Sequence, residues 1–482
     1  MRLQVTHKTP LDPGGRRLAL RGSVVLRLAP GEDPHDVPSH RDVIAHSASA
    51  ASRLDGGSLD HCLCRHGHAM RVTRAFEAAC NIGNVGHRHE GWDEVEQEVG
   101  LSRTFRVELG PGADPFAAAQ SAAEHPAVEM ASPVYLSATP FDDSADAAED
   151  EREFDPHDRR AYELVGGPRA AALEAGDPAV IVAVVDSGIS DGHPDLAGRV
   201  RPGFDMVDLD PQRVSQGLEL FGDTAGRDRA PMDEMGHGTG CAGIIAARGL
   251  RVAPGLAGAC PVLPVRALAA ARVAGRTEPT AIGSGVDIDA ALKRAVDLGA
   301  RVLNLSFGTP GTALRPGDPV PHVEVIRYAA RRGCVLVSAS GNSGDDTVYF
   351  PAALPGVIAV GAVDRGGRPT GFTTRGSHVA LSAPGERIPS VAVDGYQLNT
   401  GTSFAAPFVS AAAALLVSRS LRYGVPLSPS AVRNALVATA EPFPSGVDTK
   451  GCGAGVLNVA KAVQLVDEEL REEPGEGSMK VA

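Results

Sequence analysis

The sequence predicts an α/β fold in which a parallel sheet carries helices on both faces. The β-branched run over residues 182–185 is typical of a strand that is buried on both sides. Residues 287–298 place apolar side chains at helical spacing, and 301–306 follow as a further strand. An alanine-rich helix is predicted over 402–420. Strands and helices that alternate in this way form βαβ units, and such units build a parallel sheet.

A smaller α+β unit is predicted ahead of this sheet, over residues 20–137. Residues 22–31 read as a short strand closed by a turn, and 103–109 alternate in polarity as a half-buried strand does. A helix is predicted over 115–125, and residues 127–135 close the unit. A chain of 482 residues exceeds what one hydrophobic core usually supports, so a second unit is expected.

Acidic runs separate the predicted units. Residues 142–155 and 467–476 are rich in Asp and Glu, and such runs are more typical of solvated segments than of sites. The expected division is a tail over 1–20, the α+β unit over 20–137, an acidic linker over 138–160, the main domain over 161–466 and an acidic tail over 467–482.

Composition narrows the possible partners. With 43% hydrophobic and 22% charged residues the chain is globular, and a net charge of −13 argues against nucleic acid, which is bound by clustered Lys and Arg. No apolar run reaches the roughly 18 residues that a membrane span needs, so no membrane partner is expected.

The N-terminal sequence and the cysteines indicate the compartment. Residues 1–20 contain no apolar stretch or cleavage pattern of a secretory signal, and seven cysteines without framework spacing suit a reducing environment. A cytoplasmic protein is therefore expected by default, although a misassigned start codon or another export route would leave the same sequence.

Three separated segments carry the chemistry. Asp186 ends the strand over 182–185, and the carboxyl ends of parallel strands are where such sheets place their sites. His237 lies between two glycines at the start of a small-residue helix. Ser403 opens the alanine-rich helix, whose N-terminal N–H groups would stabilise negative charge on a substrate oxygen. A serine nucleophile needs a base and an orienting carboxylate, and these residues supply all three parts.

The chain order Asp186, His237, Ser403 is the order of subtilisin, and from about 162 to about 463 the chain resembles the subtilases. The resemblance implies a serine endopeptidase with a subtilisin-like sheet that needs no cofactor and acts on proteins or peptides. Asn342, after a strand and within a glycine-rich turn, would complete the oxyanion hole with the Ser403 N–H. The implied substrate-binding residues are Ser306, Phe307, Gly308, Ser340 and Gly341. Residues 309–321 are rich in Pro and Gly and are expected to form a surface loop near the substrate edge.

The resemblance extends to the N-terminal unit. Residues 127–135 are similar to the end of a subtilase propeptide, a small domain that assists folding and then blocks the cleft with its last strand. The precursor is expected to cleave itself between about Val134 and Arg160, because the acidic linker is an exposed target beside the cleft. The alternative is a catalytically silent subtilase fold that binds or regulates a partner.

Metal binding is left open at two places and is assigned at neither. Asp195 matches a calcium ligand of the family, yet Arg248 and Arg251 stand where relatives offer oxygen ligands, so a strong calcium site is disfavoured. Residues 61–68 are dense in Cys and His, but their spacing fits no standard zinc site and a polar loop is preferred. Cys241, one helical turn after His237, is interpreted as a small buried core thiol, with inhibition by a mercurial as the alternative.

Overall fold

A computed structural model of the protein describes residues 19–139 and 155–472, apart from positions 33, 35, 68, 69, 216, 227–229, 275 and 277. Most of the expected N-terminal tail and acidic linker and the end of the acidic tail therefore lie outside the described residues. Ahead of the linker the strands are β1 (Ala19–Leu28), β2 (Arg71–Arg74), β3 (Thr104–Glu108) and β4 (Val128–Ala138), and the helices are α1 (His40–Ile44), α2 (Ser58–Cys64), α3 (Glu94–Glu98) and α4 (Pro115–Ala123).

The larger part of the chain follows the linker. Its strands are β5 (Ile181–Asp186), β6 (Phe204–Asp205), β7 (Leu218–Phe221), β8 (Val262–Arg266), β9 (Ala269–Val273), β10 (Thr280–Ser284), β11 (Ala300–Leu305), β12 (Thr309–Pro310), β13 (Val335–Ala339), β14 (Tyr349–Phe350), β15 (Val357–Val363), β16 (Val379–Pro384), β17 (Ile388–Val391) and β18 (Tyr396–Asn399). Its helices are α5 (Arg160–Leu164), α6 (Gly167–Leu173), α7 (His237–Ala246), α8 (Gly285–Asp297), α9 (Val323–Arg331), α10 (Thr402–Arg422), α11 (Pro429–Ala438) and α12 (Val459–Glu472).

A parallel sheet forms the centre of this larger part. Among the described residues its strand order is β16-β15-β13-β11-β5-β8-β6, and every pairing is parallel. The first of these strands in the chain, β5, lies between β8 and β11, so the connections leave it in opposite directions. Open α/β sheets bind ligands beyond the carboxyl ends of the strands at such a switch point. Asp186 lies at this position.

Helices cover both faces of the parallel sheet. Val182 and Val184 belong to the same hydrophobic cluster as α7 and α10, whereas Ala183 and Val185 belong to the cluster that holds α8 and α9. Successive side chains of a strand point to opposite faces, so the two clusters lie on the two sides of the sheet. The predicted α/β class is thereby confirmed.

Helix α10 is the central helix of one face. By length and composition its 21 residues could cross a membrane, contrary to the expectation that no apolar run is long enough. However, 89% of its most apolar window is buried inside the protein, where it contacts β11, β13 and β15. Its apolar character therefore reflects packing in the core.

A second sheet runs through both parts of the chain. Its order in the described structure is β2-β3-β1-β4-β10-β9-β7, so three strands of the larger part extend the N-terminal sheet. The junction is β4, which is antiparallel to β1 and, through Leu136, Ser137 and Ala138, also antiparallel to β10. Leu20 and Leu136 lie in the same hydrophobic cluster as β5 and α8. The two parts thus share a sheet and part of a core.

Candidate active site

Asp186 and His237 form a buried pair at the end of β5. The Asp186 carboxylate is inaccessible to solvent, and its Oδ1 lies 2.7 Å from Nδ1 of His237. The same oxygen accepts a hydrogen bond from the Ser187 N–H at 2.7 Å. Gly236, at a φ of 83°, supplies the left-handed turn from which α7 starts with His237. A carboxylate only accepts hydrogen bonds, so Nδ1 carries the proton and Nε2 is left as the acceptor.

The environment of His237 makes the imidazole more basic. Burial favours the neutral ring, but the charge and hydrogen bond of Asp186 outweigh it and raise the pKa of His237 above its ordinary value. The side chain retains 15% exposure, so a substrate can reach the ring. A basic, accessible imidazole with a fixed tautomer suits proton transfer.

Ser403 lies beside this pair, in the first turn of α10. The next residue, Phe404, packs its ring against the imidazole of His237, with centroids 5.0 Å apart. The Ser403 hydroxyl donates to the carbonyl oxygen of Ser306 at 3.4 Å, a length at which such a bond is weak. The hydroxyl therefore remains available to a stronger acceptor.

The Cys241 thiol lies close to Asp186, His237 and Ser403. Its thiol lies 3.4 Å from the Ser403 carbonyl oxygen and 4.0 Å from Oδ2 of Asp186. The residue is fully buried, and burial raises the pKa of the thiol well above its ordinary value. Within the described parts of the chain, the ligand atoms of Asp186, His237 and Cys241 lie within 4.8 Å of one another. The hydrogen bond between Asp186 and His237 already uses two of these groups.

Asn342 approaches the start of α10 with its amide in a fixed orientation. Its Oδ1 accepts hydrogen bonds from the Thr402 N–H at 2.9 Å and from the Thr402 hydroxyl at 2.8 Å. With the oxygen engaged, Nδ2 is the end of the amide that is left to donate. A side chain at Gly401 would lie 2.9 Å from Nδ2, so the glycine keeps this donor open. The helix start adds backbone N–H groups beside it.

Ser306, Phe307 and Gly308 follow β11, and each is placed differently. The Ser306 hydroxyl is buried and donates to the Ser403 carbonyl oxygen at 2.8 Å, and the Phe307 ring is buried as well. Gly308 exposes its backbone to β4: its N–H donates to the Ala138 carbonyl at 2.9 Å, and its carbonyl accepts from the Ala138 N–H at 3.1 Å. Of the three residues, Gly308 pairs with an extended segment through its backbone, whereas the side chains of Ser306 and Phe307 are buried beside it.

Ser340 and Gly341 lie between β13 and Asn342, with their polar groups engaged inside the protein. The Ser340 hydroxyl donates to the Thr374 carbonyl at 3.0 Å, and the Gly341 carbonyl accepts from the Thr374 N–H at 2.9 Å. The Gly341 N–H donates to the Thr402 hydroxyl at 3.2 Å. These bonds hold the turn that carries Asn342.

The end of β4 lies in a cleft between Gly308 and β10, and Gly308 is two residues from Ser306, whose hydroxyl bonds to the Ser403 carbonyl oxygen. Ala138 pairs with Gly308 on one side, and on the other the Thr139 N–H donates to the Ala281 carbonyl of β10 at 3.0 Å. An extended segment that pairs with both walls is an added strand, as in peptide recognition by β-augmentation. The loop predicted over 309–321 also contributes to this region, but its first residue, Thr309, is 1% exposed and paired in β12, so it is not a surface position.

Sequence reasoning missed Asp233 as a part of the site. Its carboxylate accepts the Ser187 hydroxyl at 2.8 Å and the Thr239 hydroxyl at 2.6 Å, and it also accepts the N–H groups of Met235, Gly236 and Thr239. It thereby fixes the turn before His237. Asp233 stands four positions ahead of α7, outside the N-cap position that Gly236 occupies, so no local pattern in the sequence pointed to it.

The two segments considered for metals show separate contacts. Both oxygens of the Asp195 carboxylate accept hydrogen bonds, from the Tyr396 hydroxyl at 2.9 Å and the Leu250 N–H at 2.8 Å. In residues 61–67, the Cys62 thiol and the His66 ring contact different groups of Ser121. His68 lies outside the described residues. Among those described, this segment does not bring three ligand groups together.

Comparison with known proteins identifies the family. The profile described as the subtilase family matches residues 177–462, which is more than half of the chain. The chain belongs to the subtilase family. It is 34% identical over 301 residues to thermitase from Thermoactinomyces vulgaris, with 62% of this chain and 94% of thermitase covered. It is also 38% identical over 244 residues to a thermophilic serine proteinase of Bacillus sp. (strain AK1), with 49% and 52% covered.

The enzyme is a serine endopeptidase, and proteins or peptides are its substrates. The predicted subtilisin-like fold is confirmed, and the alternative of a silent binding protein is not favoured. Subtilases carry out their chemistry with side chains and backbone groups.

The expected cytoplasmic location was wrong. The subtilase relatives include an extracellular basic protease of Dichelobacter nodosus, 30% identical over 364 residues with 66% of this chain and 57% of that protein covered. They also include a cell wall-associated protease of Bacillus subtilis. The absence of a recognisable signal in residues 1–20 and the odd cysteine count were poor guides to location.

Proposed function

We propose that Ser403 is the nucleophile of this endopeptidase, with His237 as its base and Asp186 as the orienting carboxylate. The observation that carries this assignment is the 2.7 Å bond between Asp186 Oδ1 and His237 Nδ1 beside the start of α10. It leaves Nε2 of an unusually basic ring to accept the serine proton. The Asn342 amide and the Ser403 N–H supply the oxyanion hole.

The reaction then follows from these roles. His237 removes the Ser403 proton as the oxygen attacks the scissile carbonyl carbon, and the carbonyl oxygen becomes an oxyanion facing Nδ2 of Asn342. The imidazolium is stabilised by Asp186 and gives its proton to the leaving amine. Water repeats the sequence on the acyl-enzyme, returning the serine and releasing the acid. No cofactor is required.

We propose that residues 20–137 are a propeptide-like domain that inhibits the enzyme it precedes, and that 161–466 form the catalytic domain. Support comes from β4, whose last residues pair with Gly308 and with β10 in the cleft. The acidic linker over 138–160 would carry the self-cleavage site within the expected interval of Val134 to Arg160. Occupation of the cleft through Thr139 favours a cut beyond that residue, after position 140, which this pairing brings opposite Ser306.

We further propose that the Asp195 region holds no strong calcium ion. Both of its carboxylate oxygens already accept hydrogen bonds from protein donors, and Arg248 and Arg251 add positive charge nearby. Cations repel a cation, so these residues do not fit a tight calcium site.

The experiment compares the full chain with its Ser403→Ala variant. The unmodified chain is expected to react with a fluorophosphonate and to yield a new N-terminus beyond Thr139, read by N-terminal sequencing. The variant should do neither, with turnover lowered roughly 10⁶-fold. Its circular dichroism should match that of the unmodified chain. Labelling of the variant, or cleavage at the same rate, would refute the assignment of Ser403.

A further inference from the structure

Beside the cleft, Ser137 of β4 enters a closed polar pocket. Its side chain is inaccessible to solvent, and its Oγ lies 2.6 Å from the Thr309 hydroxyl and 3.3 Å from Nε2 of His322. The His322 ring is 1% exposed, and its Nδ1 lies 2.5 Å from Oδ1 of Asp289. An Asp–His pair thus presents its second nitrogen to a serine from the strand that fills the cleft.

The pocket is held by its surroundings. His322 has a φ of 69°, and its carbonyl oxygen accepts the Ile326 N–H as α9 begins. Phe307 packs edge-on against the ring, with centroids 5.9 Å apart. A histidine fixed by its backbone, by an aromatic ring and by Asp289 has little freedom to turn toward water.

The pairing of β4 gives the position that a substrate would place here. Ala138 lies opposite Gly308, and antiparallel partners move apart in sequence by equal steps. In a peptide bound in this register, the residue two positions after the one that replaces Ala138 lies opposite Ser306. The carbonyl oxygen of Ser306 is 3.4 Å from the Ser403 hydroxyl. Because the Ser403 hydroxyl lies beside Ser306, we take the bond that follows this peptide residue as the cleaved bond. The Ser137 position is therefore the fourth on the amino side of the cleaved bond.

We propose that His322, Asp289 and Thr309 form a subsite that selects a hydroxyl side chain at this fourth position. The proposal rests on the proposed function, because it treats the end of β4 as occupying the place of a substrate. A hydroxyl both donates and accepts, so it satisfies the imidazole nitrogen and the Thr309 hydroxyl together. An aliphatic side chain would leave both groups buried and unpaired, and such groups are costly.

The test uses the mature enzyme, after self-cleavage and removal of the N-terminal part, with two peptides that differ at one atom. One carries Ser at the fourth position and the other carries 2-aminobutyrate, in which a methyl group replaces the hydroxyl. The Ser peptide is expected to have a kcat/KM higher by about 10-fold or more, since unpaired buried polar groups set the difference. Equal kcat/KM values, or a higher kcat/KM for the 2-aminobutyrate peptide, would overturn the proposal. A higher kcat/KM for a third peptide with Asp at the fourth position would overturn it as well.

A variant of the pocket locates the effect. In His322→Asn the ratio of kcat/KM for the two peptides should fall toward one, and asparagine tolerates the left-handed backbone of this position. As a control, Ala and 2-aminobutyrate are exchanged at the next position, whose side chain points away from the pocket. That ratio should be the same in both enzymes, and an unchanged ratio at the fourth position in the variant would contradict the assignment of His322.

Failure of the proposed function would look different. It would abolish fluorophosphonate labelling and the cleavage of both peptides, whereas failure of the subsite alone would leave labelling and cleavage intact with a ratio near one.

Discussion

Two Asp–His pairs border the same cleft and differ in what their second nitrogen meets. In the Asp186–His237 pair the ring keeps 15% exposure beside the start of α10. In the Asp289–His322 pair the ring is buried and faces Ser137, whose hydroxyl also contacts Thr309. The hydrogen bond between carboxylate and Nδ1 is alike in both, so this bond does not by itself define a catalytic group. Access for a reacting carbonyl and donors for its oxygen make the difference.

Within the two Asp–His pairs, the largest effect is expected when the Asp186 carboxylate is replaced by a neutral amide. Asp186→Asn should lower kcat roughly 10⁴-fold, because an amide favours the wrong imidazole tautomer. It should also move the acid limb of kcat/KM to lower pH. His237 is active as the neutral base above its pKa, and Asp186 raises that pKa. A pH profile of kcat/KM for both proteins checks this, and an unshifted limb in the variant would contradict the role of Asp186.

A smaller loss of activity is expected when the oxyanion donor is removed. Such a donor is proposed beside the Asp186–His237 pair and not beside the Asp289–His322 pair. Asn342→Leu should lower kcat about 10²–10³-fold with little change in KM, since the donor acts on charge that develops in the transition state. Asn342 also accepts bonds from Thr402, so Thr402→Ala serves as the matched control. If the control loses as much activity as Asn342→Leu, the effect belongs to the helix start and not to the amide donor.

The same chemical change at the second pair sharpens the comparison. Asp289→Asn should leave kcat for an optimal peptide within a few-fold, while the preference for Ser over 2-aminobutyrate falls from about 10-fold toward one. Steady-state kinetics with the two peptides separates the outcomes. A 10⁴-fold loss of kcat here would mean that both pairs serve the chemistry.

The smallest effect is expected on stability, when the hydrogen bond between Tyr396 and Asp195 is removed. Tyr396→Phe removes one hydrogen bond to the carboxylate and should lower the free energy of unfolding by about 1 kcal/mol. A chelator should leave the thermal midpoint of the unmodified chain unchanged. A midpoint that falls with chelator and recovers with added Ca²⁺ would contradict the proposal that this region holds no strong calcium ion.

Sequence reasoning pointed to those residues of the candidate site that carry local patterns. Asp186 ends a β-branched run, His237 lies between glycines and Ser403 opens a helix, so each is visible within a few residues. The second pair has no such pattern, because Asp289 sits within the amphipathic spacing of α8 and His322 lies 33 residues further on. Thr309 was expected on a surface loop. Only the pairing of β4 with β10 and Gly308 brings Ser137 to them, and this long-range register cannot be derived from spacing.

The sheet shared by the two parts of the chain has a consequence for timing. Strand β4 is bonded to β1 on one side and to β10 on the other, so a cut beyond Thr139 leaves every one of these ladders intact. Hydrolysis of the linker and opening of the cleft are then separate events. Opening the cleft requires the hydrogen bonds between β4 and β10 to break. Activity toward added substrates should therefore appear after a lag that is longer than the time needed to cleave the linker.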